Sequence, residues 1–533
     1  MSLTNSGPIL LSALAGIAVY LLSRRRRDAL PLPPGPKKLP LVGNLFDMPN
    51  SFEWERYMEW AKEFGTDIIH LDVAGKSIVV LDTYEAAIEL LEKRSKDYSD
   101  RPAFPMTIDL MGIDYNFSLI WYGEHGSINS SSSRARRRLV HGALGPTAVA
   151  NYQPLELKMS HSFLRAMRTA SENDLEAELR LWAAQLTLGI AYGLDIQSRD
   201  DPHVTEAGEL VRMVTETCIQ GSYLVNSIPT LKYVPEWMPG AGFKRVAREG
   251  RAVAHDIVHR PFREVKESLS NGAPRTPSFA FDALANGADD IAIRDAAATM
   301  YNAGTDTTVV TLLNFTLAML DNPKLQRRAQ DELDGALGPL QTAEGMPGQM
   351  PTFAHEPQLP YITMLVRETL RYMPAGPVVS GCRGVAHAYS GAEADIYKGY
   401  AIPSGSIVIP NVWSMMHNET IYPDSYSYKP ERFSTPEGEL DPHVRDPANI
   451  AFGFGRRICL GRHLAYNSIW IMIASILRVY NIEKAEGADG KSIEPRREWA
   501  SSLIMCPKKF ECAFVPRSEQ AAKMIQATAG LNY

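Results

Sequence analysis

The run Phe452-Gly453-Phe454-Gly455-Arg456-Arg457-Ile458-Cys459-Leu460-Gly461, followed by helical periodicity, constrains this chain more than any other stretch. Its glycines let backbone approach something flat and bulky that side chains would hold away. Cys459 stands just before a helix N-terminus, where unpaired N–H groups and the helix dipole lower a thiol pKa and favour the thiolate. Arg457, two residues earlier, is placed to pair with an anionic group. A thiolate, a flat partner and an anionic rim together describe heme with an axial cysteine. For an isolated cysteine, a buried free thiol in a glycine turn is the plainer reading; the full arrangement argues against it. The other cysteines, Cys218, Cys382, Cys506 and Cys512, are too few and scattered for a disulfide framework, and no C-x-x-C is present for structural zinc.

The stretch matches F-x-x-G-x-R-x-C-x-G, and the chain resembles the cytochrome P-450 heme-thiolate monooxygenases from its proline-rich stretch to about Pro516. It is most similar to microsomal, fungal-type members. The resemblance implies a mainly α fold with small β-sheets, the P-450 fold, as a single large catalytic domain over 41–517. Length alone, 533 residues, would instead predict two or three domains. The resemblance also implies heme b (iron protoporphyrin IX), with Cys459 as iron ligand and Phe452, Gly453, Arg457 and Gly461 around the cofactor.

Ala303-Gly304-Thr305-Asp306-Thr307-Thr308 lies inside the long helical pattern 291–320. Glycine in a helix costs about 0.8–1 kcal/mol relative to alanine, and threonine hydroxyls bond the carbonyl one turn back and bend the helix. A local bulge there would open room for a small ligand and a water. The run resembles the family's A-G-x-D-T-T motif, which implies Ala303 and Gly304 against the heme and oxygen, and Thr307 with Asp306 in proton delivery.

Glu368 and Arg371 stand three apart on one helix face, where side chains meet. The family's E-x-x-R and P-E-R-F motifs imply that Arg432, in Pro430-Glu431-Arg432-Phe433, completes a buried structural triad with them. One motif departs from the pattern. Aligning W-R-x-x-R puts Ser133 at the tryptophan and Arg134 at the first arginine, so Arg134 is expected at a heme propionate. The polar run 125–132 ahead of it reads as an insertion or splice error that replaces the helix start, and stretches 345–349 and 380–383 read as further insertions.

Residues 3–22 are uncharged and long enough to span a bilayer, and Arg24 to Arg27 follow at once. Positive charge after the apolar run predicts a transmembrane anchor over 1–23 with the body in the cytosol, rather than a cleaved signal peptide. Such an anchor places the protein in the endoplasmic reticulum membrane as a single-pass protein. Residues 24–40, basic and then proline-rich, read as a semi-rigid hinge, and 518–533 as a tail. Helical spacing predicts helices at 175–194, 205–219, 291–320, 361–373 and 464–480, with strands at 77–81, 400–409 and 510–515. The formal charge of −6 is too mild to argue for nucleic acid.

Segment 104–120, Val378-Val379 and Leu503-Ile504 supply apolar side chains where the family contacts substrate, so a lipophilic small molecule is expected. Stretch 233–239, with Tyr233 and Trp237, is expected to dip into the membrane. No flavin or nicotinamide domain is present, so electrons are expected from a separate membrane-bound NADPH-cytochrome P-450 reductase docking near Arg456 and Arg462. The resulting expectation is a monooxygenase that hydroxylates its substrate in secondary metabolism or xenobiotic oxidation. An oxygen-independent heme-thiolate isomerase or dehydratase is one rival, against which the Asp306-Thr307 pair argues. A catalytically silent heme protein, disrupted at 125–133, is the other.

Overall fold

Helical periodicity in the sequence is realised within about three residues at each predicted helix. The computed structural model describes residues 30–122, 133–218, 223–272, 277–341, 346, 348–378 and 386–533. The expected anchor, Arg24 to Arg27, the polar run 125–132, Val379 and stretch 380–383 lie outside these residues. Among the described residues no helix is long and apolar enough to cross a membrane.

The longer elements run α1 Glu53–Phe64, β1 Ile68–Val73, β2 Lys76–Leu81, α2 Ser133–Leu144, α3 Gln153–Met167, α4 Leu175–Tyr192, α5 Pro202–Thr217 and α6 Phe243–Ser270. They continue with α7 Asp290–Asp321, α8 Pro323–Leu337, α9 Pro360–Tyr372, β3 His387–Ala388, β4 Asp395–Tyr397, β5 Tyr400–Ile402 and β6 Ile407–Pro410. After these come α10 Arg462–Val479, β7 Tyr480–Lys484, β8 Cys512–Pro516 and α11 Glu519–Ala527. The fold is mainly α with small sheets. Local chemistry sets the boundaries: Asp289 caps α7 by accepting the Ala292 N–H at 2.8 Å, and Pro323 opens α8 at its first turn.

One four-stranded sheet has the order β1-β2-β6-β3, with β2 and β6 parallel and the outer pairs antiparallel. Its strands alternate between two cores. Val79, Leu81 and Val408 face one buried cluster, whereas Ile78, Val80, Ile407 and Ile409 face another. The predicted strand at 400–409 is therefore two strands. Tyr400–Ile402 pairs with β4, and Ile407–Pro410 joins the larger sheet after a turn with Gly405 at φ 75°. The largest core is helical and reaches from Met106 to Ile525, with α7 packed along α4.

Two segments differ from the expected hinge and tail. The proline-rich stretch, from Pro31 onward, is stitched to the body rather than spanning free space. Ala401 N–H donates to Pro31 O at 2.8 Å and His70 N–H to Pro34 O at 2.9 Å. A Cβ on Gly35 would stand 2.1 Å from His70 O, so only glycine fits there. The C-terminal residues are also core: Ala521, Met524 and Ile525 are buried, and the Tyr533 hydroxyl meets His161 Nδ1 at 2.6 Å.

Candidate active site

The Cys459 loop folds back on itself before α10. Cys459 N–H donates to Phe452 O at 2.8 Å, and Gly461 is the residue that precedes the first turn of α10. Gly455 has φ 57°, and a Cβ there would lie 1.9 Å from Leu91 O, so this close approach requires glycine. Gly453 also takes a positive φ, 76°. Phe452 packs against the helical core, not on the cavity wall.

The Cys459 sulfur opens onto a cavity bounded by Ala303, Gly304 and Thr307 of α7 and by Ile458, Cys459 and Gly461 of the loop. The expected lowering of its thiol pKa is reversed in the protein alone. Burial pushes it up, outweighing the Gly461 N–H and the charges of Arg462 and Arg137. A coordinated cation inverts this balance and deprotonates the thiol outright.

Buried positive charge collects beside the cavity. Arg457 donates to Ser99 O at 2.7 Å, Phe117 O at 3.0 Å and Ile120 O at 2.7 Å. Arg101 donates to Ser118 O at 2.8 Å and Ala386 O at 2.9 Å. Burial pushes the Arg457 pKa down to about 9, with Arg137 adding to the shift and Asp100 opposing it. Arg101 is also lowered, by burial and then by Arg457 and Arg137. His387, buried and bonded to Tyr98 O, is held well below its usual value by burial and by Arg101. Carbonyls satisfy these guanidiniums as donors without neutralising their charge. A flat dianion fits: a thiol that shares one slot with the cationic donors Arg137 and Arg457 suits a metalloporphyrin with two carboxylates.

Arg134 is not in that set. It is exposed, with its guanidinium 5.3 Å from the centre of the Tyr122 ring. The helix turns so that Arg137 enters the cavity wall instead, donating to Ile458 O at 3.1 Å. Arg136 faces the interior and pairs with buried Asp295 at 2.7 Å. Arg101, Arg137 and His387 carry no role in the sequence reading. Only Arg137 had a local signal, as the last arginine of the aligned motif.

On α7, Thr307 Oγ1 donates to Ala303 O at 3.0 Å. Asp306 is buried and ion-paired to Arg180 of α4, which also holds Glu176 at 3.0 Å nearer the surface. The expected bulge is absent, because α7 is α-helical from Asp290 to Asp321. Gly304 instead gives room to a neighbouring helix: a Cβ there would meet Thr187 Cγ2 at 2.7 Å.

Glu368 accepts from Arg371 Nε and Nη2 at 2.7 and 2.8 Å and from Arg432 Nε at 3.1 Å, with Glu368 and Arg371 fully buried. The three residues lie together behind the cavity rather than in its wall.

A second cavity shares Ser118, Ala303 and Thr307 with the first. Ile113 and Leu119 from the 104–120 segment line it, as do Val378, Leu503 and Ile504. No charged side chain lines it among the described residues.

The family model for cytochrome P-450 matches residues 33–514. Cytochrome P-450 monooxygenase 98 of Postia placenta is 39% identical over 98% of both chains. Cytochrome P-450 monooxygenase ple1 of Rhodocybe pseudopiperita is 37% identical over 97% of this chain and 95% of its own. Tryptamine 4-monooxygenase of Psilocybe cyanescens is 34% identical over 96% and 98%. This chain belongs to the cytochrome P-450 family, as a heme-thiolate monooxygenase that draws its electrons from a redox partner.

Proposed function

We propose that this monooxygenase hydroxylates a lipophilic small molecule held in the second cavity, with Cys459 as the residue whose sulfur would hold heme b. The observation that carries the reading is that Cys459 and Thr307 line one cavity while Thr307 also lines the next. Bound heme supplies activation of dioxygen and transfer of one oxygen atom to a C–H bond, with two electrons and two protons taken up and water released.

The chain's own residues bind and orient. Arg137 and Arg457, in the cavity wall, would hold the propionates, with Arg101 adding charge beside Arg457, a role that falls to Arg137 rather than Arg134. Gly453, Gly455 and Gly461 shape the loop that carries the sulfur, and Phe452 anchors it to the core. Ala303 and Gly304 keep side-chain bulk off the cavity. Thr307 holds a proton at its hydroxyl, and Asp306 passes protons inward from the side where Arg180 and Glu176 approach solvent. Glu368, Arg371 and Arg432 hold the core in register. An apolar wall with no charged lining favours a neutral substrate, in secondary metabolism or xenobiotic oxidation. The Psilocybe cyanescens relative acts, by its name, on tryptamine; among the described residues the present cavity offers no counter-charge for an ammonium group.

Electrons are supplied by a separate NADPH-cytochrome P-450 reductase docking beside the thiolate loop, where exposed Arg456 and the partly exposed Arg462 favour an acidic partner. The apolar run 3–22 with its following arginines supports an anchor in the endoplasmic reticulum membrane, the body being cytosolic. Two exposed apolar patches support a membrane-resting face. Leu41 is 99% and Phe46 77% exposed, and Tyr233 and Trp237 are 77% and 80% exposed. The turn between β1 and β2 links the two patches, through Ala74 N–H to Val42 O and Lys76 Nζ to Asn226 O at 3.0 Å.

The test is a carbon monoxide difference spectrum of the reduced protein expressed with ample heme, together with NADPH- and dioxygen-dependent oxidation of a panel of lipophiles. A thiolate Soret band that Cys459→Ser removes along with turnover is expected. Full turnover in Cys459→Ser overturns the reading.

A further inference from the structure

Among the described residues, the polar side chains in the wall of the second cavity are Tyr115, Asn116, Ser118, Asn302 and Thr307. Four of them are turned to partners. Tyr115 and Asn302 hold one another at 2.6 Å, Thr307 donates to Ala303 O at 3.0 Å, and the Ser118 hydroxyl donates to Asn116 Oδ1 at 2.6 Å. Asn116 differs. The Ser118 backbone N–H lies 3.0 Å from the same Asn116 atom. A backbone N–H can only donate, so that atom is the oxygen and the amide has a single orientation. Oδ1 therefore receives two hydrogens from Ser118 and is filled. Nδ2 donates to no described residue and keeps accessible surface. Asn116 is only partly buried, and it lines the second cavity but not the first. Its two N–H groups are donors left open at a wall otherwise built from side chains such as Ile113, Leu119, Val211, Val214 and Ile504.

We propose that Asn116 is a specificity-determining residue that selects, among neutral apolar substrates, those carrying an acceptor oxygen such as a ketone, ester or ether; the proposal rests on the monooxygenase reading above. Water meets the Nδ2 N–H groups while the cavity is open, and a ligand that fills the cavity displaces it. A substrate without an acceptor then strands a donor, whereas a carbonyl oxygen replaces the lost hydrogen bond. A pyrrole-type N–H gains nothing at Asn116, because Oδ1 already receives both Ser118 hydrogens. An ammonium group would meet a donor, not an acceptor, and would bring a charge with no counter-charge in the described wall. Since Asn116 does not line the first cavity, the oxygen it recognises is held away from the Cys459 side, and another part of the substrate is presented there. The residue thus sets position as well as affinity.

The experiment uses heme-loaded full-length protein and three probes of one shape: fluorene with no polar atom, fluorenone with an acceptor oxygen, and carbazole with a donor N–H. Dissociation constants are measured by equilibrium dialysis and by the Soret shift on binding. Each affinity is read as a ratio to that of fluorene and compared between parent and variant, so the hydrophobicity of the probes cancels. The fluorenone ratio is expected to fall about tenfold from the parent protein to Asn116→Leu, with the carbazole ratio unmoved. Asn116→Asp keeps an acceptor for both Ser118 groups and, as a carboxylate, has no N–H. It is expected to lower the fluorenone ratio and raise the carbazole ratio, and it decides if Asn116→Leu does not load heme. A fluorenone ratio that neither variant moves overturns the proposal. So does a carbazole ratio that falls in step with it in Asn116→Leu, the sign of a reshaped cavity rather than a lost donor. The carbon monoxide spectrum separates the two readings. Its absence from the parent protein sinks the heme-thiolate reading, whereas a normal band with an unmoved fluorenone ratio sinks recognition by Asn116 alone.

Discussion

Arg180 on α4 is ion-paired to buried Asp306 on α7, and the second oxygen of Asp306 is buried with no partner among the described residues. The pair therefore joins the interior side of α7 to a guanidinium that is one-third exposed and also holds Glu176. This is the arrangement a proton carrier needs, with one face tied toward solvent and one free inside. Asp306→Asn keeps the shape and removes the proton transfer, so turnover should fall by about 10²-fold while heme content and the carbon monoxide spectrum stay normal. Comparing rates in H₂O and D₂O should show a larger solvent isotope effect in the variant. Equal rates in both proteins would exclude Asp306 from the proton path.

Thr307 offers its hydroxyl to both cavities while bonding Ala303 O. Thr307→Ala removes one of the two hydroxyl side chains, with Ser118, that line both spaces among the described residues, and the one carried by α7. NADPH consumption should continue, with most electrons appearing as peroxide or water instead of product. Thr307→Ser restores the hydroxyl and should recover most of the coupling. The check is the ratio of product formed to NADPH oxidised, which in the alanine variant should drop several-fold.

Glu368 carries two guanidiniums within 3.2 Å, from Arg371 and Arg432, and its Oε1 also accepts the Lys429 N–H at 2.7 Å. Removing its charge leaves buried cations without a counter-ion, a change that costs about 3–5 kcal/mol. Glu368→Gln should therefore lower the urea midpoint sharply and reduce heme retention, although no atom of the triad lines the cavity. Arg432→Lys gives up the planar guanidinium and should be intermediate.

Local chemistry was readable in the sequence where one short run holds all its parts. Cys459 with its glycines, and Thr307 with Asp306, lie within single turns or loops, and helices α4, α7 and α10 are long, largely buried apolar runs that no proline interrupts. Parts assembled by packing leave no such trace. Arg101, His387 and Arg180 come from separate segments and converge only through the fold. Helix α6 was hidden for a different reason. Its apolar stripe, Ala247, Gly250, Ala254, Ile257, Pro261 and Val265, keeps helical spacing but contains a proline and a glycine, which argue against a helix. Arg134 and Arg137 differ by less than one turn, and a sequence whose helix start departs from the family pattern does not say which of them turns inward.

Glu156 on α3 is buried against Ser468, a residue of the heme cavity wall, with Oε1 at 2.7 Å from the hydroxyl and Oε2 lacking a partner among the described residues. Burial pushes its pKa from 4.5 up to about 8, against hydrogen bonds from Ser468 and Asn467. A folded-state pKa above the unfolded value means that the native protein keeps a proton which the unfolded chain releases. Stability from this group is therefore unaffected below about pH 4.5, falls as pH rises from there to about 8, and levels off above. Glu156→Gln holds the neutral shape at every pH. The variant should match the parent in denaturant unfolding near pH 5 and exceed it near pH 8.5 by a few kcal/mol at most. Identical stability curves at both pH values would show that the carboxyl ionises freely in the fold.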